Sequence, residues 1–342
     1  MPPCRHPRVT RAWHARGILP RLALASLLAL LAGCGSAPPG ELPPAAEPAS
    51  SPPQTARPPG RLVRVGFKPE GVVADARTGL VAVGLREPDE LALLDGASGR
   101  IRRRVALPAA PRHLGLDGDR VLVPAEDADA LVRVTLPGAT VTRTPTGREP
   151  HDAAAAGGRV FVADELAHAL TVLVGPRAVE RIPTALQPGG VTAHGRGAVA
   201  VVAVRERVVE LYDAATGRRT GRAAAGVGPT HVVSNGDKYL FVTDTAGGAL
   251  LVFHTRPRLE LIRRYPLPGS PYGIAIDNRR HRLFVTQTAT NRLSELTAEG
   301  RPHVLRRFAT PRQPNTVAVD DATGRVFVTG KVDGVLQLLD PA

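Results

Sequence analysis

The sequence predicts an all-β fold, a seven-bladed β-propeller closed by an N-terminal strand at 61–67 that completes the last blade. Three observations predict it. A Pro followed by a short apolar run recurs seven times, at Pro69, Pro111, Pro150, Pro188, Pro229, Pro271 and Pro314, with spacings of 42, 39, 38, 41, 42 and 43 residues, the length of one four-stranded blade. Each recurrence leads into further short, β-branched runs bounded by turn residues. No stretch carries sustained helical periodicity.

In chain order, residues 1–33 read as an export signal. Arg5, Arg8, Arg11, Arg16 and Arg21, with no acidic residue among them, precede the apolar run Leu22 to Leu31, which is shorter than the ~20 residues a membrane span needs. The segment ends in Leu31-Ala32-Gly33-Cys34, which resembles a bacterial lipobox and implies lipid attachment at Cys34. Cys4 lies in the part to be removed, so Cys34 is the one thiol expected in the mature chain; disulfides and Cys-based metal sites are excluded from its folded part. Residues 34–60 are rich in Pro, Ala, Ser and Gly and are expected to form an unfolded, extended tether. An extracytoplasmic, membrane-anchored setting follows from these segments.

The propeller is expected over 61–342. Its first strands begin at the prolines, as in Pro271-Tyr-Gly-Ile-Ala-Ile-Asp277 and Pro314-Asn-Thr-Val-Ala-Val-Asp320. Second strands follow at Leu80 to Val83, Val121 to Val123, Val160 to Val162, Val199 to Val202, Leu240 to Val242, Leu283 to Val285 and Val326 to Val328; third strands include Glu90 to Leu94 and Leu336 to Leu339. More polar fourth strands close most units, such as Ile101 to Leu107 and Leu259 to Tyr265. The seventh unit stops after three strands, whereas RLVRVGF at 61–67 stands alone before the first Pro. Using it as the outer strand of the last blade latches the ring and consumes the whole repeat region. Such a closed ring is expected to be a monomer.

Fourth strands carry Arg102-Arg103-Arg104, Arg263-Arg264 and Arg306-Arg307. Charges on an outer edge deter edge-to-edge association, which is the reading preferred over a belt for anionic polymers. The formal charge of +13 comes almost entirely from Arg in an Ala- and Gly-rich chain, so it does not by itself argue for nucleic acid. With aromatics at 4%, a base-stacking platform is also excluded. Gly-x-Ser-x-Gly, His-Glu-x-x-His and phosphate-loop motifs are absent from the sequence.

The segments LFVTDTAGGALLVF (240–253), LFVTQTATNRLSEL (283–296) and VFVTGKVDGVLQLL (326–339), with the Pro271-Tyr-Gly-Ile-Ala-Ile opening, resemble the YVTN-type β-propeller repeat. Blades one to four depart from it, with Ala82, Leu122 and Ala200 where the aromatic stands and Val202 in place of Thr. The resemblance implies the propeller fold and a cell-surface or periplasmic setting. It implies no single activity, because such propellers include binding and scaffold proteins, lactonase relatives and metal-dependent lyases.

Function is therefore sought where the innermost strands begin, at one mouth of the central channel. The second position after each Pro reads Gly71, His113, Asp152, Gly190, His231, Gly273 and Thr316; the first reads Glu70, Arg112, His151, Gly189, Thr230, Tyr272 and Asn315. His113, His151, Asp152, His231, Tyr272 and Asn315 are the candidate ligand-binding residues. His113, Asp152 and His231 have the chemistry to hold a divalent metal, or to serve as acid or base; equally, they are polar residues that hydrogen-bond around a wet channel. A second ring, Asp164, Asp244, Gln287 and Gly330, is expected to tie loops to backbone. The preferred expectation is a binding or scaffold module for a protein, glycan or small ligand, with no catalytic residue assigned and no cofactor required; the alternative is a metal-dependent lactonase-like hydrolase or lyase.

Overall fold

The computed structural model describes residues 42–341; Cys34, the signal-like segment 1–33 and residues 35–41 lie outside the described residues. The described residues form seven four-stranded antiparallel sheets. Blade 1 comprises Pro69–Asp75, Leu80–Leu85, Glu90–Asp95 and Ile101–Ala106, and blade 2 Gly115–Asp117, Arg120–Ala125, Ala130–Thr135 and Thr140–Pro145. Blades 3 to 6 open at Pro150–Ala156, Pro188–His194, Pro229–Ser234 and Pro271–Asp277 and repeat the same order. Blade 7 takes Val317–Val319, Val326–Gly330 and Val335–Leu339 from the end of the chain and Arg61–Arg64 from the other end. Innermost strands pack against one another all the way round, Val317–Val319 against Pro69–Asp75 included, so the ring is closed.

The latch pairs Arg61 with Leu338 and Arg64 with Val335. It ends at Arg64 rather than at residue 67. Val65 leaves the ladder, donating its N–H to Gly334 O at 3.0 Å, and buries its side chain completely among residues of blades 1 and 7. Gly66, at φ 142°, then turns the chain and leaves Phe67 72% exposed.

Second and third strands are buried on both faces, as their continuous apolar runs predict: Leu240, Phe241, Val242 and Leu250 to Phe253 are fully inaccessible. Apolar clusters form between adjacent blades, so each blade needs its neighbours to bury both faces. The outer strands are solvated edges, and their arginines are engaged locally. Arg102 reaches Asp95 at 2.6 Å, Arg103 donates to Gly138 O at 2.8 Å and Arg306 pairs with Glu295 at 2.8 Å.

Residues 42–60, expected from composition to hang free, instead lie docked as an extended strap on the propeller. Ala49 N donates to Ser270 Oγ at 3.1 Å, Ser51 N to Gln313 Oε1 at 2.9 Å and Ser51 Oγ to Thr288 O at 2.6 Å. Asn291 Nδ2 donates to Pro52 O at 3.0 Å and Gln337 Nε2 to Pro59 O at 2.8 Å. The physical reason is that a proline-rich chain is already extended and loses little entropy on docking, so backbone hydrogen bonds and a few small apolar contacts, such as Ala45 and the buried Pro58, suffice.

Candidate functional site

The opening prolines create the site. Pro has no N–H to continue a ladder, and in blades 1, 3, 4, 5 and 6 a one-residue bulge follows it, between Pro69 and Val72 or Pro229 and Val232 for example. In blade 2 the strand opens further, Pro111 pairing only with Ala125 before the ladder resumes at Gly115. The side chains just after each Pro are thereby re-aimed toward the channel or the neighbouring blade.

Four of the predicted residues meet there. The His113 ring lies 4.9 Å from that of His151 and 4.4 Å from that of His231, whose other face meets Tyr272 edge-on at 4.5 Å. His113 Nε2 and His231 Nε2 are 2.9 Å apart. His231 Nδ1 is 3.1 Å from Tyr272 O, a contact that requires Nδ1 to carry the proton. His231 Nε2 is then an acceptor, and His113 Nε2–H donates to it. By the same logic His151 Nδ1–H donates to Gly189 O at 3.0 Å, leaving its Nε2 lone pair facing Glu165 Oε2 at 3.9 Å.

All three imidazoles are held neutral. Burial is the first cause in each, pushing His113 and His151 well below the ordinary value, with neighbouring imidazoles and the Arg112 cation acting in the same direction, and His231 to about 4 against the opposing Tyr272 carbonyl, with Arg112 again lowering it. Asp152 is moved the other way, to about 7, by burial that outweighs two backbone donors, Ala153 N at 2.8 Å to Oδ1 and Val191 N at 3.0 Å to Oδ2. Burial likewise raises Tyr272.

The glycines of the second-position ring are steric partners of these side chains. A Cβ on Gly71 would meet Arg112 O at 2.4 Å, one on Gly190 would meet His231 Cα at 3.1 Å, and one on Gly273 would meet Asn315 O at 2.5 Å. Small and large therefore alternate because the backbones of adjacent blades touch.

Asp152 and Asn315 are placed apart from the imidazole contacts. Asp152 spends both oxygens on backbone, and Asn315 Nδ2 donates to Glu70 Oε1 at 2.9 Å. His113, Asp152 and His231 are thus not brought together as a ligand set. Among the described residues no three His, Cys, Asp or Glu side chains are grouped to hold a metal ion. The donor chemistry fits an ion in one respect, since His151 presents an Nε2 lone pair with Nδ1 anchored on Gly189 O, the tautomer a metal requires, whereas Nε2 of His231 is taken by His113.

Sequence reasoning missed a charged ring one position beyond Asp164, Asp244, Gln287 and Gly330, at Glu126, Glu165 and Lys331 and their counterpart Arg86. Arg112 pairs with Glu126 at 2.5 Å, Arg86 also pairs with Glu126, and Lys331 pairs with Glu70. Burial lowers Arg112, but Glu126, Tyr272, Glu70 and Glu165 together outweigh it and raise it, while burial raises Glu165. The signal that could have found it is positional, because these residues recur at one register of the repeat. The Asp164 and Asp244 ring itself ties loops as expected: Asp244 Oδ1 accepts from Val227, Gly228 and Gly247 N–H, and Asp164 Oδ2 from the Thr171 hydroxyl.

Ala45, Ala46 and Glu47 of the strap line a small cavity with Arg112, His151, Glu165 and His231 and so cover the mouth where the sequence placed the ligand. On the other side of the histidines runs a cavity of about 290 Å³, walled by Ala153, Ala155, Val191, Val232, Ile274 and Val317 and ending on His113, Asp152, His231 and Thr316.

No family model and no curated protein matches the sequence. Solved structures match its fold. Hydrazine synthase of Kuenenia stuttgartiensis aligns at TM-score 0.72 and 16% identity over 82% of this chain and 97% of that one. A streptogramin B lyase aligns at 0.68 and 15% over 80% and 94%, and virginiamycin B lyase of Staphylococcus aureus at 0.66 and 14% over 82% and 99%. At these identities the likeness is one of fold, and the chain shares with these proteins the seven-bladed β-propeller.

Proposed function

We propose that this chain is an extracytoplasmic binding propeller of the YVTN type, anchored through lipid at Cys34, whose ligand sits in the central channel against the histidine cluster. One observation carries the reading: a cavity of about 290 Å³, lined by small side chains and exposing more polar than apolar surface, ends on neutral His113 and His231 and on Asp152. A concave cavity on which a few polar groups converge is a usual place for a small ligand. Such a floor suits a small, uncharged molecule with one hydrogen-bonding end. Calorimetric titration of small neutral lactones, amides and alcohols into the purified chain tests it; saturable binding lost in His113→Ala with His231→Ala is expected, and turnover of a lactone would sink a purely binding role. Anchoring is tested separately by palmitate incorporation, expected to vanish in Cys34→Ala.

A second reading is a metal-assisted hydrolase or lyase, favoured by the Nε2 lone pair of His151. A bound divalent ion would polarise a carbonyl. His113 and His231 line one cavity with Asp152 but are hydrogen-bonded to each other, so an ion held by them would have to replace that bond, with His151 the residue placed to carry a proton. Elemental analysis decides: a stoichiometric ion lost in the His113→Ala, His231→Ala variant supports this reading, and a metal content unchanged by those substitutions removes it.

A further inference from the structure

We propose that the strapped face is a binding groove for an extended polypeptide segment of a partner protein, and that residues 42–60 are its displaceable occupant in cis. The groove reads backbone. Ser270 Oγ and Gln313 Oε1 accept from Ala49 N and Ser51 N, and Gln313 Nε2, Asn291 Nδ2, Gln337 Nε2 and Arg205 Nη2 donate to the carbonyls of Ala49, Pro52, Pro59 and Leu42. Recognition through main-chain groups of an extended chain is tolerant of sequence, which is how peptide grooves of the strand-addition and polyproline kinds work.

The reading groups are preset. Ser270, Gln313 and Asn291 have φ of 57°, 56° and 50°, and their main chains are clamped by Thr288 N–H to Ser270 O, Lys331 N–H to Gln313 O and Thr310 N–H to Asn291 O. For Ser270 and Gln313 that conformation recurs just before the opening Pro in other blades, at Lys68, Glu149 and Gln187, and for Asn291 it recurs after the short turn at Asp129 and His168, so the repeat supplies it and blades 6 and 7 use it to present polar side chains to the strap.

The strap fills this groove incompletely. Asn291 and Gln337 are 5% and 0% exposed, and the carboxamide oxygen of each has no hydrogen-bond partner among the described residues. Asn291 is oriented by the Pro52 carbonyl and Gln337 by the carbonyls of Pro59 and of Ala309 in the propeller, and both of those strap residues lack an N–H to return. A buried acceptor left without a donor is unfavourable, so a chain carrying N–H groups at these two points is the better fit. Holding the strap in cis compensates for that poorer fit, because a short tether gives it an effective concentration on the order of millimolar. Exchange of the strap also uncovers the histidines beneath Ala45 to Glu47.

The test uses the full chain with Ser51→Pro, which removes the Ser51 N–H and the hydroxyl that contacts Thr288 O and Gln313 N. Two fluorescein-labelled peptides are titrated into it by anisotropy: residues 47–60 unchanged, and the same segment with Pro52→Ala and Pro59→Ala. Expected are saturable binding of both, at least tenfold tighter for the alanine analogue, at least tenfold weaker binding to the unsubstituted chain, and loss of binding when Gln313→Ala is added. Absence of binding to a folded Ser51→Pro chain, or binding indifferent to Gln313→Ala, overturns the proposal. Hydrogen exchange on the unsubstituted chain gives an independent measure: Ala49 and Ser51 amides should exchange at least a hundredfold sooner than those of Leu240 to Val242, and exchange of both sets at one common rate overturns it even if Ser51→Pro fails to fold.

Discussion

His113 donates through Nε2–H to Nε2 of His231 across the channel, a 2.9 Å hydrogen bond between residues 118 positions apart in the chain. The bond exists only while the His231 ring is neutral, since protonating His231 at Nε2 would set two N–H groups against each other.

Stability should accordingly fall on acidification. The folded value for His231 is about 4, below the ordinary value near 6.5, so between those limits the unfolded chain binds a proton that the folded chain refuses. Stability is full above about pH 6.5 and is lost progressively down to about pH 4, with roughly 2 kcal/mol gone at pH 5 from this residue alone. His113 and His151 act in the same direction. Asp152 opposes them: its raised value means that the folded chain keeps a proton the unfolded chain releases, between about pH 4 and 7. Urea midpoints measured from pH 7.5 to 4.5 should decline, more steeply in Asp152→Asn and less steeply in His231→Gln.

Gly273→Ala should destabilise the ring by about 1–3 kcal/mol, because the added methyl would stand 2.5 Å from Asn315 O and backbone cannot swing aside. Gly138→Ala, with open space around it, is the matched control expected to change the thermal midpoint little.

Removing the Asp244 carboxylate should cost about 2–4 kcal/mol, since Val227, Gly228 and Gly247 N–H all donate to its Oδ1 and Gly228 is among the buried contacts. Denaturation of Asp244→Ala measures the loss, and Asp244→Asn, which keeps one acceptor oxygen, should recover part of it.

The latch should be separable from blade folding. Val65 is completely buried beside the Arg61–Arg64 strand, so Val65→Asp should lower the thermal midpoint and free the Val335–Leu339 edge. Concentration-dependent dimers or larger species in analytical ultracentrifugation are the expected outcome, absent from the unsubstituted chain.

The sequence by itself determined the repeat: the Pro-opened units, the doubly buried second and third strands and the latch all follow from patterns local to about 40 residues. It also marked His113, His151 and His231, because a re-aimed position just after each Pro has the same register in every blade. Tertiary structure decided which of those positions meet. His113 and His231 come from blades 2 and 5, and only closure of the ring brings them across the axis, whereas Asp152 is drawn off by Val191 N–H of the next blade. It also decided the fate of 42–60, whose composition describes a chain that cannot fold alone and says nothing of a surface able to dock it. Binding of that kind depends on Ser270, Asn291, Gln313 and Gln337, residues more than 200 positions away whose polar groups converge only in the finished propeller.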